Sequence, residues 1–148
     1  MGTFTTILLT ILGLLLISFP FFSRKLAEKS GWKALEENFK EDQAGNKIKG
    51  NSVSLYSAII GGLNYTNILR CKIVKHGLYI RLVWPFSLTH KAILVPWKAF
   101  KSVEDTKVLL KDYKRFSIGR PTITTIDLDE KGFNLLKKHF RERSRLNV

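Results

Sequence analysis

The chain has little of what most catalytic, metal-binding and secreted proteins need. Of its 148 residues, one is cysteine and three are histidine. The single Cys71 excludes an intrachain disulfide framework, and no histidine stands at metal-ligand spacing from another His, Cys or acidic residue. Gly-rich phosphate-binding and Gly-x-Ser-x-Gly motifs are also missing from the sequence. We therefore predict no catalytic residue, no metal site and no cofactor, and we expect the protein not to be an enzyme.

One long stretch of the sequence lacks charge altogether, and another lacks negative charge. Residues Thr3–Phe22 carry no ionisable side chain, and residues 43–103 carry nine Lys or Arg but no Asp or Glu. The whole chain has 25 basic and 12 acidic residues, a net charge of +13. Next to a membrane, basic residues attract anionic lipid by roughly 1 kcal/mol each. The same charge in a soluble domain provides only solubility, and the composition leaves both interpretations open.

The uncharged stretch Thr3–Phe22 predicts a transmembrane anchor, which we assign to residues 1–23. At about 1.5 Å per residue, a helix of this length spans roughly 30 Å, the thickness of a bilayer core. A cleaved signal peptide would need a basic start, an apolar run of about 7–15 residues and a small-residue cleavage site. The stretch has none of the three. An uncleaved anchor is therefore favoured over a signal peptide or a buried helix of a soluble protein.

The flanks of this span predict its orientation. No Lys or Arg precedes it, whereas Arg24, Lys25, Lys29 and Lys33 follow it closely. Because basic residues favour the cytoplasmic side, we expect a single-pass protein of the inner or cytoplasmic membrane. Its N-terminus would lie outside, and residues 24–148 would lie in the cytoplasm.

Residues 24–50 predict a juxtamembrane amphipathic helix followed by a linker. Leu26, Trp32, Leu35 and Phe39 recur at helical spacing. Gly31 interrupts this pattern, and the polar residues 43–52 are typical of a linker.

From residue 51 onward the apolar residues alternate with polar ones, which predicts about seven short antiparallel strands. Cys71 shares a strand face with Leu69 and Ile73 and is expected to be a buried thiol. Turns are predicted at three places, and strands at about 106–112, 115–118 and 122–128. The turns are Gly61-Gly62, His76-Gly77 and Gly119-Arg120-Pro121. A final amphipathic helix is predicted over 130–143, with Phe133, Leu136 and Phe140 on its apolar face.

Several short sequences in this region resemble those of pleckstrin-homology-like (PH-like) domains. The segment 76–80 (HGLYI) resembles a hairpin of GRAM-like and bacterial PH domains, and the segment 93–100 (ILVPWKAF) resembles one of their strand ends. The segment 30–35 (SGWKAL) resembles the stretch before the first strand in small, uncharacterised bacterial single-pass membrane proteins with this layout. The resemblance implies an α+β fold: a transmembrane helix, then a PH-like antiparallel β-sandwich or barrel (residues 51–148) capped by the C-terminal helix.

One departure from the PH pattern affects the expected ligand. PH domains that bind phosphoinositides usually have basic residues around the first hairpin, but the turn at residues 60–64 (IGGLN) has none. We therefore expect any contact with anionic lipid to be diffuse and electrostatic.

The function predicted from these features is a membrane-anchored adaptor that binds a protein partner, anionic lipid, or both. Three aromatic residues are candidates for an apolar partner contact, with core packing as the alternative: Trp84, Phe86 and Trp97. Nine basic residues are candidates for contact with anionic lipid: Arg24, Lys25, Lys107, Lys111, Lys114, Arg115, Lys137, Lys138 and Arg141.

The alternative function is a small accessory subunit of a membrane complex, in which the transmembrane helix itself makes the main contacts. Nucleic-acid binding is disfavoured, because a membrane anchor restricts access to a chromosome and no nucleic-acid-binding motif is present.

Overall fold

The computed structural model describes residues 2–39, 50–53, 55 and 57–143, and the structural statements below concern these residues. They form an apolar N-terminal helix, a second short helix, two antiparallel sheets and a C-terminal helix. This is the α+β class and the order of elements that the sequence predicts.

Helix α1 (Gly2–Lys29) contains the whole predicted span and continues without a break into the predicted juxtamembrane segment. Among the described residues it is the one helix long and apolar enough to cross a membrane. None of its most apolar 18-residue window is buried in the protein, whereas Ser23 and Ala27, further along, are buried. The helix therefore has an exposed apolar part and a C-terminal part that belongs to the folded domain.

A glycine with left-handed backbone separates α1 from helix α2 (Trp32–Asn38). Gly31 has φ +72°, and a Cβ at this position would lie 2.9 Å from Cβ of Thr124. The predicted interruption at Gly31 is thus confirmed, and Trp32 and Leu35 of α2 are fully buried. Residues 40–49, most of the predicted linker, lie outside the described residues, and its last residues begin the first strand.

The strands form a four-stranded and a five-stranded antiparallel sheet. The first sheet contains, in spatial order, β1 (Asn51–Val53), β4 (Leu69–Val74), β5 (Gly77–Leu82) and β6 (Ile93–Pro96). The second contains β3 (Leu63–Asn64), β2 (Ala58–Ile60), β9 (Thr124–Leu128), β8 (Lys111–Ile118) and β7 (Phe100–Val108). The described residues therefore form nine strands where about seven were predicted, because short segments pair on both sides of residue 55.

Helix α3 (Glu130–Arg143) has the predicted bounds and closes the core. Its apolar face buries Leu136 and Phe140 completely and Phe133 almost completely. The side chain of Asp129 caps its first turn, because Oδ1 accepts a hydrogen bond from the backbone N–H of Gly132 at 2.8 Å. The periodicity of the apolar residues alone was enough to define this helix.

The turn between β4 and β5 differs by one residue from the prediction of His76-Gly77. Val74 pairs with Gly77, so Lys75 and His76 form the turn, and neither has positive φ. Gly77 is required for another reason: a Cβ on this residue would lie 2.3 Å from the carbonyl oxygen of Val95 on β6. This glycine permits close strand packing instead of a special turn.

The strand predicted over residues 106–112 is wrong. The chain reverses at Leu109 and Leu110, which connect β7 to β8. Both leucines have positive φ, 48° and 66°, although a leucine side chain disfavours this backbone region. Leucine pairs carry no turn signal, and for this reason the pattern suggested an uninterrupted strand.

Candidate functional site

The loop between β5 and β6 (residues 83–92, the β5–β6 loop) packs against α1 at the end of the predicted span. The rings of Phe19 and Phe86 meet edge to face, with centroids 5.5 Å apart. One helical turn further along α1, the hydroxyl of Ser23 is hydrogen-bonded to that of Thr89 and lies 3.5 Å from Nδ1 of His90. The folded domain is therefore held against the helix at the level where charged residues begin.

Backbone hydrogen bonds give this loop its shape. The N–H groups of Thr89 and His90 both donate to the carbonyl oxygen of Phe86, at 3.1 and 3.0 Å. The resulting short 3-10 turn, Phe86–Leu88, directs Phe86 onto α1. The side chains of Trp84 and Leu88 remain 76% and 71% exposed.

His90 is buried beneath the loop, with an exposed fraction of 2%. Its ring lies edge-on to Trp32 at 5.2 Å and to Tyr65 at 6.0 Å. Burial lowers the pKa of His90 below its usual value of 6.5, and its Nε2 has no hydrogen-bond partner within the described part of the chain. Burial between α1, α2 and the loop thus favours the neutral form of this histidine.

The three aromatic candidates for a partner contact do not form one surface. Trp84 is exposed, and Phe86 is half-buried against α1. Trp97 is only 2% exposed, and its Nε1–H donates a hydrogen bond to the carbonyl oxygen of Val74 at 3.1 Å. Trp97 is therefore a core residue with almost no exposed surface, which agrees with the core-packing alternative and not with a partner contact.

The basic candidates lie on α1, on the β7–β8 hairpin and on α3, and at least four of them form ion pairs. On the β7–β8 hairpin, Lys107 pairs with Asp112 at 3.6 Å and Lys114 pairs with Asp105. On α3, Lys138 approaches Glu142 at 3.9 Å. These pairs reduce the positive charge that these two elements present to an anionic surface.

Arg115 forms the most specific of these pairs. Its Nε and Nη2 donate to Oδ1 and Oδ2 of Asp127, both at 2.8 Å. Asp127 is completely buried, and its carboxylate raises the pKa of the Arg115 guanidinium. Arg115 therefore has a structural role between β8 and β9.

The remaining basic candidates are dispersed. Lys114 and Lys137 both lie over the ring of Phe133, at 5.6 and 5.7 Å from its centroid, so β8 and α3 bring these two lysines together. Lys111 and Arg141 are exposed at the start of β8 and near the end of α3, and Arg24 and Lys25 are exposed on α1 directly after the span. No single basic patch unites the nine residues in the described structure.

Sequence reasoning missed the most exposed apolar residues outside α1. Leu109 and Leu110 (the hairpin tip) are 92% and 96% exposed. The last residue of β9 pairs with Lys114 of β8, so the part of the β7–β8 hairpin beyond Lys114 has no third strand beside it. This part contains the three outermost residue pairs of the hairpin: Thr106 with Tyr113, Lys107 with Asp112 and Val108 with Lys111. The tip thus stands at the end of a two-stranded arm.

The charges on either side of the hairpin tip were a sequence signal for this turn. Opposite charges face each other at equal distances on either side of the turn: Glu104 with Arg115, Asp105 with Lys114, and Lys107 with Asp112. Such cross-strand pairs stabilise antiparallel hairpins. Their symmetry about residues 109 and 110 predicts the observed reversal even though Leu-Leu does not.

Within the described residues, no group of three or more His, Cys, Asp or Glu side chains could hold a metal ion. Cys71 is buried as predicted, and burial raises the pKa of its thiol to about 12. A thiol in this state is a poor nucleophile. The described residues thus offer apolar and basic surfaces for binding, and Cys71 does not provide a reactive thiolate.

Comparison with known protein families, with curated proteins and with solved structures found no match for this chain.

Proposed function

We propose that this protein is a membrane-anchored, non-enzymatic adaptor. Helix α1 spans the inner or cytoplasmic membrane once, with its N-terminus outside, and holds a PH-like domain that binds a protein partner at the cytoplasmic face. The observation that carries this proposal is the attachment of the β5–β6 loop to α1 through Phe19–Phe86 and Ser23–Thr89. The contact fixes the domain relative to the helix that would cross the bilayer.

Helix α1 has an exposed apolar part and a buried C-terminal part, and this supports an anchor over a buried helix of a soluble protein or a cleaved signal peptide. A buried helix of a soluble protein would cover its apolar residues, but no residue of the apolar window of α1 is buried. A removable signal peptide would not contribute to the mature core, but Ser23 and Ala27 of the same helix are buried in the domain. Both features agree with a helix that remains part of the protein and meets lipid.

The exposed residues of the β5–β6 loop fit a position at the membrane interface. Phe86 contacts α1 at Phe19, within the span, while Arg24 marks the first charge after it. Trp84 and Leu88 of the same loop therefore lie near the level of the lipid headgroups, where tryptophan is enriched in membrane proteins. We assign Trp84 to the interface and not to a protein partner.

The hairpin tip is the better candidate for the partner contact. Two leucines that are almost fully exposed cost solubility, and their left-handed backbone costs roughly 1–2 kcal/mol per residue. Strain of this kind persists mainly where function requires it. The partner would present an apolar pocket, and the lysines at positions 107 and 111, next to the tip, would favour an acidic rim around it.

The architecture of the domain supports the proposal of a PH-like fold. Two antiparallel sheets enclose one core, and α3 packs against β8, β9 and the short 3-10 turn Trp97–Ala99 at one end of it. A C-terminal helix that closes a sheet sandwich is the arrangement which the sequence resemblance implied.

The test compares partners that co-purify with the full chain in mild detergent. One variant replaces residues 3–18 by an unrelated apolar helix and keeps Phe19 and Ser23, and another replaces Leu109 and Leu110 by Asn and Gly. An adaptor keeps its partner when the span is exchanged and loses it when the tip is changed. The opposite result would contradict the adaptor and support the accessory subunit. In that alternative, a second helix would pack on α1 at Gly13, where a Cβ would contact nothing within 4 Å.

A further inference from the structure

A groove lies where α1, α2 and the β5–β6 loop meet. It has a volume of about 630 Å³. We call it the junction groove and define it by six lining residues, of which four are basic and two apolar: Arg24, Lys25, Lys33, Lys91, Phe21 and Leu88. Phe21 belongs to the end of the predicted span, and Leu88 is 71% exposed. The groove therefore continues from the apolar helix surface into a basic region.

Two acidic residues, Glu28 and Glu36, also line the groove, and both have partners. Glu28 pairs with Lys33 at 3.3 Å, and Glu36 accepts a hydrogen bond from the backbone N–H of Lys91 at 2.6 Å. Arg24, Lys25 and the side chain of Lys91 form no ion pair within residues 2–39, 50–53, 55 and 57–143. The four basic side chains that line the groove therefore outnumber its two carboxylates, and the lining keeps a net charge of +2.

A ligand that fits this lining must be anionic at one end and apolar at the other. Arg24 offers paired donors suited to a phosphate, and Lys25 and Lys91 add point charges. Phe21 and Leu88 offer apolar contact for the first carbons of an acyl chain. A phospholipid has both parts, and its headgroup lies at the depth where the span ends.

We propose that the junction groove binds the headgroup phosphate of an anionic phospholipid from the adjacent leaflet. The proposal rests on the proposed function, because it requires α1 to cross the membrane. The sequence predicted a diffuse attraction of lipid over the whole basic domain. The groove instead gives one site at the C-terminal end of the transmembrane span. The bases of the β7–β8 hairpin and of α3 are not part of this site.

The test uses the purified, delipidated full chain in neutral detergent and native mass spectrometry with added lipid. The probes are phosphatidylglycerol, phosphatidylcholine, and glycerol phosphate, which has the phosphate without acyl chains. The test variant is Arg24→Gln/Lys25→Gln/Lys91→Gln. The matched control, Lys107→Gln/Lys111→Gln/Lys137→Gln, removes the same charge elsewhere.

The expected result is selective binding of phosphatidylglycerol, which the test variant weakens about tenfold or more, as the loss of three nearby bases implies. The control should bind it within about twofold of the original chain. Equal losses in both variants would overturn the proposal in favour of diffuse attraction. Equal binding of phosphatidylcholine would overturn it by removing charge selectivity, and glycerol phosphate binding as tightly as the lipid would show a site for soluble anions.

A second measurement separates failure of the groove from failure of the anchor. The full chain and both variants are expressed in a membrane-containing host, and the membranes are extracted with alkaline carbonate. A spanning helix stays in the pellet in all three cases. Release of the original chain would overturn the anchor and the groove together, whereas retention with unselective lipid binding would overturn the groove alone.

Discussion

Phe19 of α1 and Phe86 of the β5–β6 loop meet edge to face with ring centroids 5.5 Å apart. One of these residues lies within the predicted span and the other within the folded domain. Since the neighbouring Ser23–Thr89 hydrogen bond joins the same two elements, two contacts restrain the rotation of the domain about α1. The orientation of the domain relative to this helix is therefore fixed by side-chain contacts.

Replacing Phe86 by Ala should loosen this attachment without unfolding the domain. An edge-to-face aromatic pair contributes about 0.5–1.5 kcal/mol beyond area burial. Amide hydrogens of the loop, above all those of Thr89 and His90, should therefore exchange about 2- to 10-fold faster. Hydrogen exchange with mass spectrometry of the full chain in detergent measures this change.

Ser87→Ala is the matched control for that experiment, because Ser87 is exposed in the same loop. Exchange in α3 should be unchanged in both variants. Unaltered loop exchange in Phe86→Ala would mean that the aromatic pair does not restrain the domain.

The sequence predicted the features that depend on local pattern and missed those that depend on contacts between distant residues. The bounds of α3, the Gly61-Gly62 turn and the burial of Cys71 depend on local periodicity or backbone preference, and each was predicted. The burial of Trp97 depends on the carbonyl oxygen of Val74, which is far away along the chain. A tryptophan next to a loop gives no sign of such a partner.

The features of the candidate site that the sequence missed also depend on contacts between distant residues. The exposure of Trp84 and the position of Phe86 depend on how the β5–β6 loop packs on α1, a contact between residues more than sixty positions apart. The basic candidates were chosen by charge alone. The partner of Arg115 becomes apparent only once the register of β8 and β9 places Asp127 opposite it.

Replacing Arg115 by Met should destabilise the domain strongly. Asp127 is fully buried, and its carboxylate would lose both 2.8 Å hydrogen bonds from the guanidinium. Removing one partner of a buried pair costs about 3–5 kcal/mol. Urea unfolding of the full chain in detergent, followed by tryptophan fluorescence, measures this loss.

Lys111→Met is the control for that substitution, since Lys111 is exposed on the same strand. It should change stability by less than about 0.5 kcal/mol. The double variant Arg115→Met/Asp127→Leu should recover much of the loss, because no buried charge remains. A stability of Arg115→Met equal to that of the control would refute a structural role for Arg115.

The stability of the domain should fall as the pH decreases below neutrality, because of His90. Burial lowers the pKa of this residue below 6.5, so the folded state binds fewer protons than the unfolded state. Its contribution to stability is complete above about pH 6.5, the pKa expected in the unfolded chain, and is lost progressively below it. Urea unfolding at a series of pH values from neutral downward measures the slope.

His90→Asn should flatten this slope, whereas His76→Asn should leave it unchanged because His76 is exposed in a turn. The comparison concerns the pH dependence, so a general loss of stability in His90→Asn does not affect it. Parallel pH profiles for the original chain and His90→Asn would contradict the assignment.

Cys71 should be unreactive in the folded protein. Its thiol is buried, and burial raises its pKa to about 12, so almost no thiolate is present near neutral pH. Labelling with a maleimide should be at least about tenfold faster in urea than in the folded state. Ser87→Cys, which adds an exposed thiol, should be labelled at once without urea, and equally rapid labelling of Cys71 would show that the core opens readily.

Replacing Leu109 and Leu110 by Asn and Gly should stabilise the domain and reduce partner binding at the same time. Asn-Gly adopts the left-handed turn readily, so relief of the strained leucines should add about 1–2 kcal/mol to the free energy of unfolding. Partner capture should fall, because the two most exposed leucines in the folded domain are lost. Leu135→Gln is the control, since Leu135 is an exposed leucine on α3, and it should leave capture unchanged. If the two leucines bind the partner, the substitution must raise stability and lower capture. A gain in stability with full partner capture would mean that the strained turn has no binding role.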